Sequence, residues 1–267
     1  MLQKQLEARK FQMVQVFEII NKDGRAPVLL VCEHACNHVP EHFDNLGIST
    51  DALDSHIAWD PGALNVAKAL SEKFDCPLFA AKVSRLVYDC NRPPEADDAY
   101  PAISEIFEIP GNKGLSEEEI SWRVENIYKP FQAGLFDAVS EQVKRTAEPF
   151  LVTIHSFTPI YNGHLREVEI GILHDSDSRL ADFILERASS EFGLNVKRNE
   201  PYSATDGVTY TLREHGLKNN LQNVMIEIRN DLISEPAGVQ KIADALYRLI
   251  NMALADHKKM QEVAKKC

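Results

Sequence analysis

The chain has 267 residues, 44% of them hydrophobic and 26% charged, so it is long and apolar enough to bury a core. Its formal net charge of -11 disfavours nucleic acid and membrane as main partners, because an acidic surface repels phosphate backbones and anionic headgroups. Without a membrane-spanning run, a signal-peptide pattern in residues 1–21 or a disulfide framework among five cysteines, we expect a cytoplasmic monomer or small homo-oligomer.

Short aliphatic runs alternate with helical patterns along the chain. Runs typical of buried strands occupy residues 26–32, 77–83, 150–154, 169–173 and 223–228. Helical patterns occupy residues 61–74, 116–144, 178–192 and 236–260. This alternation requires crossover connections, so we predict an α/β three-layer sandwich with a central mixed, mostly parallel sheet flanked by helices. No linker or repeat divides the chain, and residues 1–267 are predicted to form a single domain.

The longest predicted loop, residues 91–114, carries four prolines and two glycines. Loops of this length inside compact domains often serve as lids over a site. We therefore expect this segment to border the functional site.

Polar residues end three of the predicted strands. His34 follows the first run, His155 follows the third, and Glu227 lies in the last. Ligands of open α/β sheets bind beyond the carboxyl ends of the strands, so these residues predict a shared site. Two imidazoles and a carboxylate suit a catalytic zinc with one position open for water, and a nearby carboxylate can take the proton of that water. In the competing interpretation each histidine only caps a strand through a backbone hydrogen bond.

The sequence V-S-R-L-V-Y-D-C-N-R-P places Arg85, Asp89, Asn91 and Arg92 at and just beyond another strand. An arginine binds a carboxylate through two parallel hydrogen bonds, and an asparagine can bond to the same group or to an adjacent carbonyl. These residues therefore suit an anionic substrate, or the oxyanion that forms when an amide is attacked. A structural ion pair between Arg85 and Asp89 is an equally good interpretation, whereas a functional role is favoured for Asn91 and Arg92.

Asp60, in H-I-A-W-D-P-G-A, has two interpretations. It precedes Pro61 as a helix N-cap residue would, or it turns its carboxylate onto a metal. The stretch N-E-P-Y-S places Tyr202 in a loop without a specific signal. A thiol mechanism through Cys32 or Cys36 is a weaker alternative, because such a pair also fits a strand end made of small residues.

Seven motifs, in order from about Cys32 to Ile233, resemble those of the N-formylglutamate amidohydrolase family. They read C-E-H-A-C-N-H-V-P, H-I-A-W-D-P-G-A, S-R-L-V-Y-D-C-N-R-P, I-P-G-N, I-H-S-F-T-P, N-E-P-Y-S and V-M-I-E-I-R-N-D-L-I. The resemblance implies a phosphorylase/hydrolase-like α/β fold, related to zinc carboxypeptidases and aspartoacylase-type deacylases. It also implies hydrolysis of the N-formyl or N-acyl amide of an acidic amino acid, with zinc or another divalent metal as cofactor.

The resemblance leaves two other functions open. One is a zinc carboxypeptidase or deacylase that acts on another N-acyl amino acid or peptide. The other is a non-catalytic relative that binds a metal or an anion; loss of Glu227 would suggest it, and Glu227 is present.

The resemblance also implies a role for each matching residue. It assigns metal binding to His34 and His155, and the role of catalytic base to Glu227. It assigns binding of the substrate carboxylate to Asn91 together with Arg92. Arg85 and Arg229 are expected to assist in binding the small anionic N-acyl amino acid.

The third metal ligand is the departure from the related enzymes. The carboxypeptidase-type pattern has a glutamate three residues after the first histidine, where this chain has Asn37. Glu33 is a second candidate, but adjacent strand residues point to opposite faces, so Glu33 and His34 share a metal only if the chain has turned. Asp60 is free of that constraint and is preferred.

Overall fold

The computed structural model describes residues 14–146 and 148–264, so Cys267 and the first part of segment 1–21 lie outside it. Its strands are β1 (Phe17–Ile20), β2 (Val28–Cys32), β3 (Leu78–Ala81), β4 (Ile103–Ser104), β5 (Phe107–Glu108), β6 (Phe150–Phe157), β7 (Ile160–Tyr161), β8 (His164–Leu165), β9 (Ile170–Leu173), β10 (Val196–Arg198) and β11 (Asn223–Arg229). Its α-helices are α1 (Thr50–Asp54), α2 (Ala63–Phe74), α3 (Glu117–Arg123), α4 (Lys129–Arg145), α5 (Arg179–Phe192) and α6 (Pro236–Ala264).

Seven strands form the central sheet, in the order β1-β3-β2-β6-β11-β9-β10. The pairs β2–β3, β2–β6, β6–β11 and β9–β10 are parallel, whereas β1–β3 and β9–β11 are antiparallel. The prediction of a mixed, mostly parallel sheet is therefore confirmed. The sequence missed β1 and β10, since both are short edge strands whose residues are not fully buried.

Helices cover both faces of the sheet, which confirms the three-layer architecture. Alternate residues of β2 belong to different cores: Leu30 packs with residues of α2, α5 and α6, whereas Val31 packs with residues of α4. Both side chains are fully buried, and burying a side chain of this kind contributes about 1.5–3 kcal/mol. None of the helices in the described ranges is long and apolar enough to cross a membrane.

The helix predicted over residues 116–144 begins as expected, with a capping box between Ser116 and Glu119. It is interrupted by a π turn, Val124–Tyr128, in which the Lys129 N–H donates to the carbonyl of Val124. Pro130 explains the interruption, because it has no N–H to donate and its ring displaces the preceding turn. A second π turn spans Leu212–Gly216, and 3-10 turns occupy Glu41–Gly47, Pro110–Asn112, Ala204–Asp206, Leu217–Asn219 and Asn230–Ile233.

The predicted loop 91–114 contains the hairpin of β4 and β5 and is held at its far end by Asn112. The Asn112 amide donates to the carbonyls of Leu86 and Pro101, at 2.8 and 2.9 Å, and its oxygen accepts from Arg123 at 2.7 Å. These hydrogen bonds fix the C-terminal end of the loop, so the hairpin projects from a rigid support.

Candidate active site

The carboxyl ends of β2, β6 and β11 meet in the middle of the sheet. His34 lies two residues beyond β2, whereas His155 and Glu227 lie within β6 and β11 and face each other in the strand register. The ring centroids of His34 and His155 are 4.9 Å apart, and all three side chains are buried. The structure thus brings together the three residues that the strand ends predicted.

Asp60 joins the two histidines. Its Oδ2 lies 3.3 Å from His34 Nδ1 and 2.9 Å from His155 Nδ1, and it accepts the Ser156 N–H at 3.2 Å. The N-cap residue of α2 is Gly62 rather than Asp60, so the capping interpretation of Asp60 is wrong. The ligand atoms of His34, Asp60 and His155 lie within 4.8 Å of one another, so this buried group could hold a metal ion.

A second carboxylate holds each imidazole by its other nitrogen. His34 Nε2 lies 2.8 Å from Asp89 Oδ1, and His155 Nε2 lies 3.0 Å from Glu33 Oε2. Histidines that bind metals usually make a hydrogen bond like that of His34 with the ring nitrogen that the metal does not use, whereas His155 and Glu33 form an ion pair without hydrogen-bond geometry. Both Nδ1 atoms are thereby directed at Asp60. Two imidazole nitrogens and one carboxylate oxygen form a donor set that fits zinc.

The charges of the cluster also fit a bound cation. Burial alone would lower the pKa of His155, but the Glu33 and Asp60 carboxylates raise it well above its usual value. Burial and Arg85 would lower the pKa of His34, but the Asp89 and Asp60 carboxylates raise it above its usual value. The carboxylates thus favour positive charge at the two imidazoles, and a divalent cation would supply that charge at the same place.

The other candidates for a third ligand lie elsewhere. Glu33 meets His155 at Nε2, the ring nitrogen that does not contact Asp60. The Asn37 amide donates to the Leu53 carbonyl at 3.0 Å and to the Asp54 carboxylate at 2.9 Å. Of these three candidates, only Asp60 contacts both imidazoles at Nδ1.

The thiols give no support to a cysteine mechanism. Burial raises the pKa of Cys32 well above its usual value, with Asp60 adding to the effect, and burial also raises the pKa of Cys36. A thiol is nucleophilic as the thiolate, which this environment disfavours.

Glu227 lies beside His155 and has one carboxylate oxygen without a partner among the described residues. Its Oε2 is buried and makes no hydrogen bond to the described residues. Burial raises the pKa of Glu227 to about 7, with Asp60 adding to the effect and His155 opposing it. A carboxyl group with this pKa both accepts and releases protons readily near neutral pH, as a general base and acid must.

Gly171 makes room for Glu227 from the neighbouring strand. It pairs with Glu227 across the antiparallel contact between β9 and β11. A Cβ at this position would lie 2.1 Å from the Glu200 carbonyl oxygen and 3.1 Å from the Glu227 Cβ. Only glycine lets these two segments approach so closely.

We expect Gly171→Ala to destabilise the protein by about 1–3 kcal/mol, the usual cost of overpacking, and to reduce activity by displacing Glu227. Thermal denaturation and a hydrolysis assay measure the two effects. Gly193→Ala is the control, since a Cβ there meets no atom within 4 Å and only the positive φ of 60° opposes the change. Equal losses of stability in both variants would contradict the steric explanation.

Two of the predicted arginines reach the site. Arg85 is 30% exposed; its Nη2 donates to Asp89 at 2.8 Å, and its Nη1 lies 3.7 Å from Asp60. The structural pair of Arg85 and Asp89 therefore exists, and it borders the group of His34, Asp60 and His155. Arg92 donates to Asp98 at 2.7 Å and to the carbonyls of Asn91 and Gly207. Both arginines line the cavity described below.

Asn91 and Arg229 are placed differently. The Asn91 amide donates to the Val208 carbonyl at 2.6 Å, and its oxygen accepts the Thr211 N–H at 2.9 Å, so the side chain fixes a neighbouring loop. The Arg229 guanidinium donates to Asp231 and, at longer distance, to Glu169. The structure places Asn91 in the cavity wall, but it does not bring Arg229 there among the described lining residues.

Sequence reasoning missed Arg166. Its guanidinium lies over the rings of Phe157, Tyr161 and Tyr202, and it donates to the Tyr202 hydroxyl at 2.9 Å. No spacing in the sequence marks this residue, because its partners come from separate segments. It gives Tyr202, a residue of the cavity wall, a fixed position.

A cavity of about 400 Å³ opens above the cluster. His34, Asp60, His155 and Glu227 form its deepest, buried part. Residues of the β4–β5 and β7–β8 hairpins, among them Ile103 and Tyr161, line it toward the solvent. The predicted loop 91–114 therefore borders the site, as expected.

Comparison with known proteins identifies the family. The model of the family described as N-formylglutamate amidohydrolase matches residues 26–234. A gene product of Agrobacterium tumefaciens of known crystal structure is 49% identical, with a TM-score of 0.88 over 94% of this chain and 98% of that chain. The N-formylglutamate amidohydrolase of Ralstonia eutropha shares the fold, at 20% identity and a TM-score of 0.63 over 93% of this chain and 100% of that chain. No curated protein sequence matches. Since the family model spans most of the chain, the protein belongs to the N-formylglutamate amidohydrolase family.

Proposed function

We propose that this amidohydrolase cleaves the N-formyl or N-acyl amide of an acidic amino acid and requires a divalent metal, with N-formyl-L-glutamate and zinc as references. One observation carries the proposal. The buried group of His34, Asp60 and His155 lies at the floor of a cavity, directly beside a carboxyl group whose pKa is about 7.

The metal would be held by His34, Asp60 and His155. When bound, a divalent ion supplies Lewis-acid polarisation of the amide carbonyl and lowers the pKa of a bound water. Asp89 and Glu33 orient the two imidazoles through their Nε2 atoms. These two carboxylates therefore position the metal-binding imidazoles.

Glu227 is the proton carrier in this proposal. It accepts a proton from the attacking water at its Oε2 and later releases it to the leaving amine nitrogen. Burial raises the pKa of this carboxyl group to about 7, so both transfers are matched to neutral pH. In the same proposal Arg85, beside the metal-binding group, would stabilise the oxyanion, and Arg92 would bind the substrate carboxylate.

The direct test measures the metal content of the purified protein together with formate release from N-formyl-L-glutamate. We expect about one divalent ion per chain, release of formate, and loss of release after treatment with a chelator. Bound metal without formate release would contradict N-formyl-L-glutamate as the substrate. Formate release that persists without metal would contradict the metal dependence.

We expect Arg92→Ala to lower kcat/KM for carboxylate-bearing substrates about tenfold to a few hundredfold, and far less for neutral N-formyl amides. Truncation leaves the substrate carboxylate unpaired in a partly desolvated cleft, a loss of about 1.5–3 kcal/mol. Arg92→Lys should recover only part of the activity, because a point charge replaces two parallel donors. The alternative is a purely structural role through Asp98. A lowered melting temperature with an unchanged ratio of charged to neutral substrates would favour that alternative.

A further inference from the structure

Two short hairpins surround the mouth of the cavity with exposed apolar side chains. The β4–β5 hairpin carries Ile103, which is 61% exposed. The β7–β8 hairpin carries Ile160, Tyr161 and Leu165, which are 55%, 37% and 72% exposed. We refer to these four residues as the apolar rim. Exposed aliphatic side chains grouped in this way usually mark a surface that a ligand or partner covers.

The two hairpins are fixed to each other and to the cavity wall. Glu105 accepts the backbone N–H of Asn162 through Oε1 at 2.8 Å, and its Oε2 lies 2.9 Å from His56 Nε2. Glu105 belongs to the turn of one hairpin and Asn162 to the turn of the other. Of the apolar rim, Ile103 and Tyr161 also line the cavity, so the rim meets the cavity at these two residues.

The cavity is larger than a formyl group requires, and part of its otherwise polar wall is apolar. Its volume of about 400 Å³ falls in the range of about 300–1,000 Å³ that encloses drug-sized ligands, and N-formyl-L-glutamate is much smaller than those. Above the charged floor, its wall includes Ile57, Phe157, Val208 and Met225. A one-carbon acyl group held at the floor would leave most of this volume unfilled.

We propose that the preferred substrates carry a medium-length alkanoyl chain on an acidic amino acid, and that this chain extends from the floor of the cavity to the apolar rim. The proposal rests on the proposed function. Hydrolysis breaks the same C–N bond: the hydroxyl of water joins the acyl carbon, and its proton goes to the amine nitrogen. The products are an alkanoate and the free amino acid.

The apolar rim does not suit a second copy of the chain. Stable protein interfaces use about 20–30 residues a side, and the rim offers four. The net charge of -11 also makes two copies repel each other. An alkanoyl chain carries no charge and matches both the size of the rim and its continuity with the site.

The test is a calorimetric titration of zinc-loaded protein with N-formyl-, N-hexanoyl- and N-octanoyl-L-glutamate, with Glu227→Gln used to slow turnover. We expect affinity to rise about fourfold per buried methylene, from about 0.8 kcal/mol per methylene at about 1.4 kcal/mol per tenfold. Across the series the gain should exceed about a hundredfold. Equal affinities for the three compounds would overturn the acyl site.

Two variants of one hairpin sharpen the test. Ile103→Ser should lower the ratio of octanoyl to formyl affinity about tenfold, because Ile103 lines the cavity. Ile106→Ser is the matched control: this residue is 76% exposed at the tip of the same hairpin and is not among the described lining residues. Equal effects in the two variants would overturn the proposal, as would a change in sedimentation of the free Ile103→Ser protein without a change in the ratio.

Hydrolysis by the wild-type protein separates this inference from the proposed function. Cleavage of N-formyl-L-glutamate with no dependence of affinity on chain length would overturn the acyl site and support the proposed function. Affinity that rises with chain length without hydrolysis of any compound would support the acyl site and overturn the proposed function.

Discussion

Replacing Glu227 by glutamine is expected to slow hydrolysis by about 10²–10⁴-fold while the metal stays bound, since the change removes a general base and no metal ligand. The amide has nearly the shape of the carboxylate but cannot accept the proton of the attacking water. Steady-state kinetics and the metal content of the same preparation measure the two quantities.

Stability provides the control for this variant. The Glu227 Oε2 is buried without a hydrogen bond to the described residues, and a neutral amide costs less to bury than a charged carboxylate. The melting temperature of the metal-free Glu227→Gln protein should therefore not fall. Glu186→Gln, an exposed substitution on α5, controls for the loss of one negative charge. If Glu227→Gln lost its metal, Glu227 would be a ligand, and its role and that of Asp60 would have to be exchanged.

Asp60→Asn is expected to have the other large effect, on metal affinity. Its carboxylate is the charged group that contacts both imidazoles at Nδ1. Residues that support the metal ligands from behind typically contribute about 10–100-fold to metal affinity. The Asp60→Asn variant should lose more affinity than this, and its activity should fall because less metal is bound. Competition with a chelator, and the melting temperature with and without zinc, measure the affinity independently of activity.

Glu33→Gln and Asp89→Asn are the matched variants. Each removes one carboxylate that holds an imidazole at Nε2 and leaves Asp60 in place. We expect each to weaken metal binding by about 10–100-fold and to remain active at saturating metal. Asp60→Asn binding zinc as tightly as the wild type would contradict the assignment of Asp60.

The sequence predicted the layers of this fold and the residues at its strand ends well, because both depend on local patterns. Aliphatic runs such as V-L-L-V-C identify strands buried on both faces, and a polar residue directly after such a run lies at the edge of the sheet. That argument placed His34, His155 and Glu227 together. The family resemblance added the expected roles, which the proposed experiments test.

The rest depended on distant contacts that no local pattern reports. Asp60 precedes a proline and a glycine, so the helix-capping interpretation competed until the structure showed its carboxylate between two imidazoles. Asn91 and Arg92 are neighbours in sequence, yet Asn91 fixes a loop more than a hundred residues away. The direction of β9, antiparallel to β11 and parallel to β10, likewise follows from packing of the whole sheet rather than from the residues of β9.

The strand order has a consequence for how the protein becomes active during synthesis. β2 and β11 come from opposite ends of the chain, yet both pair with β6 in the middle of the sheet. Contacts between residues so far apart in sequence form slowly, because a long loop must close before they contribute to stability. A ribosome-bound chain that has not yet exposed β11 holds both histidines but lacks Glu227. Under the proposed function, such a nascent chain carries the three residues that would hold the metal but not the general base, so catalysis begins only when the last strand has paired.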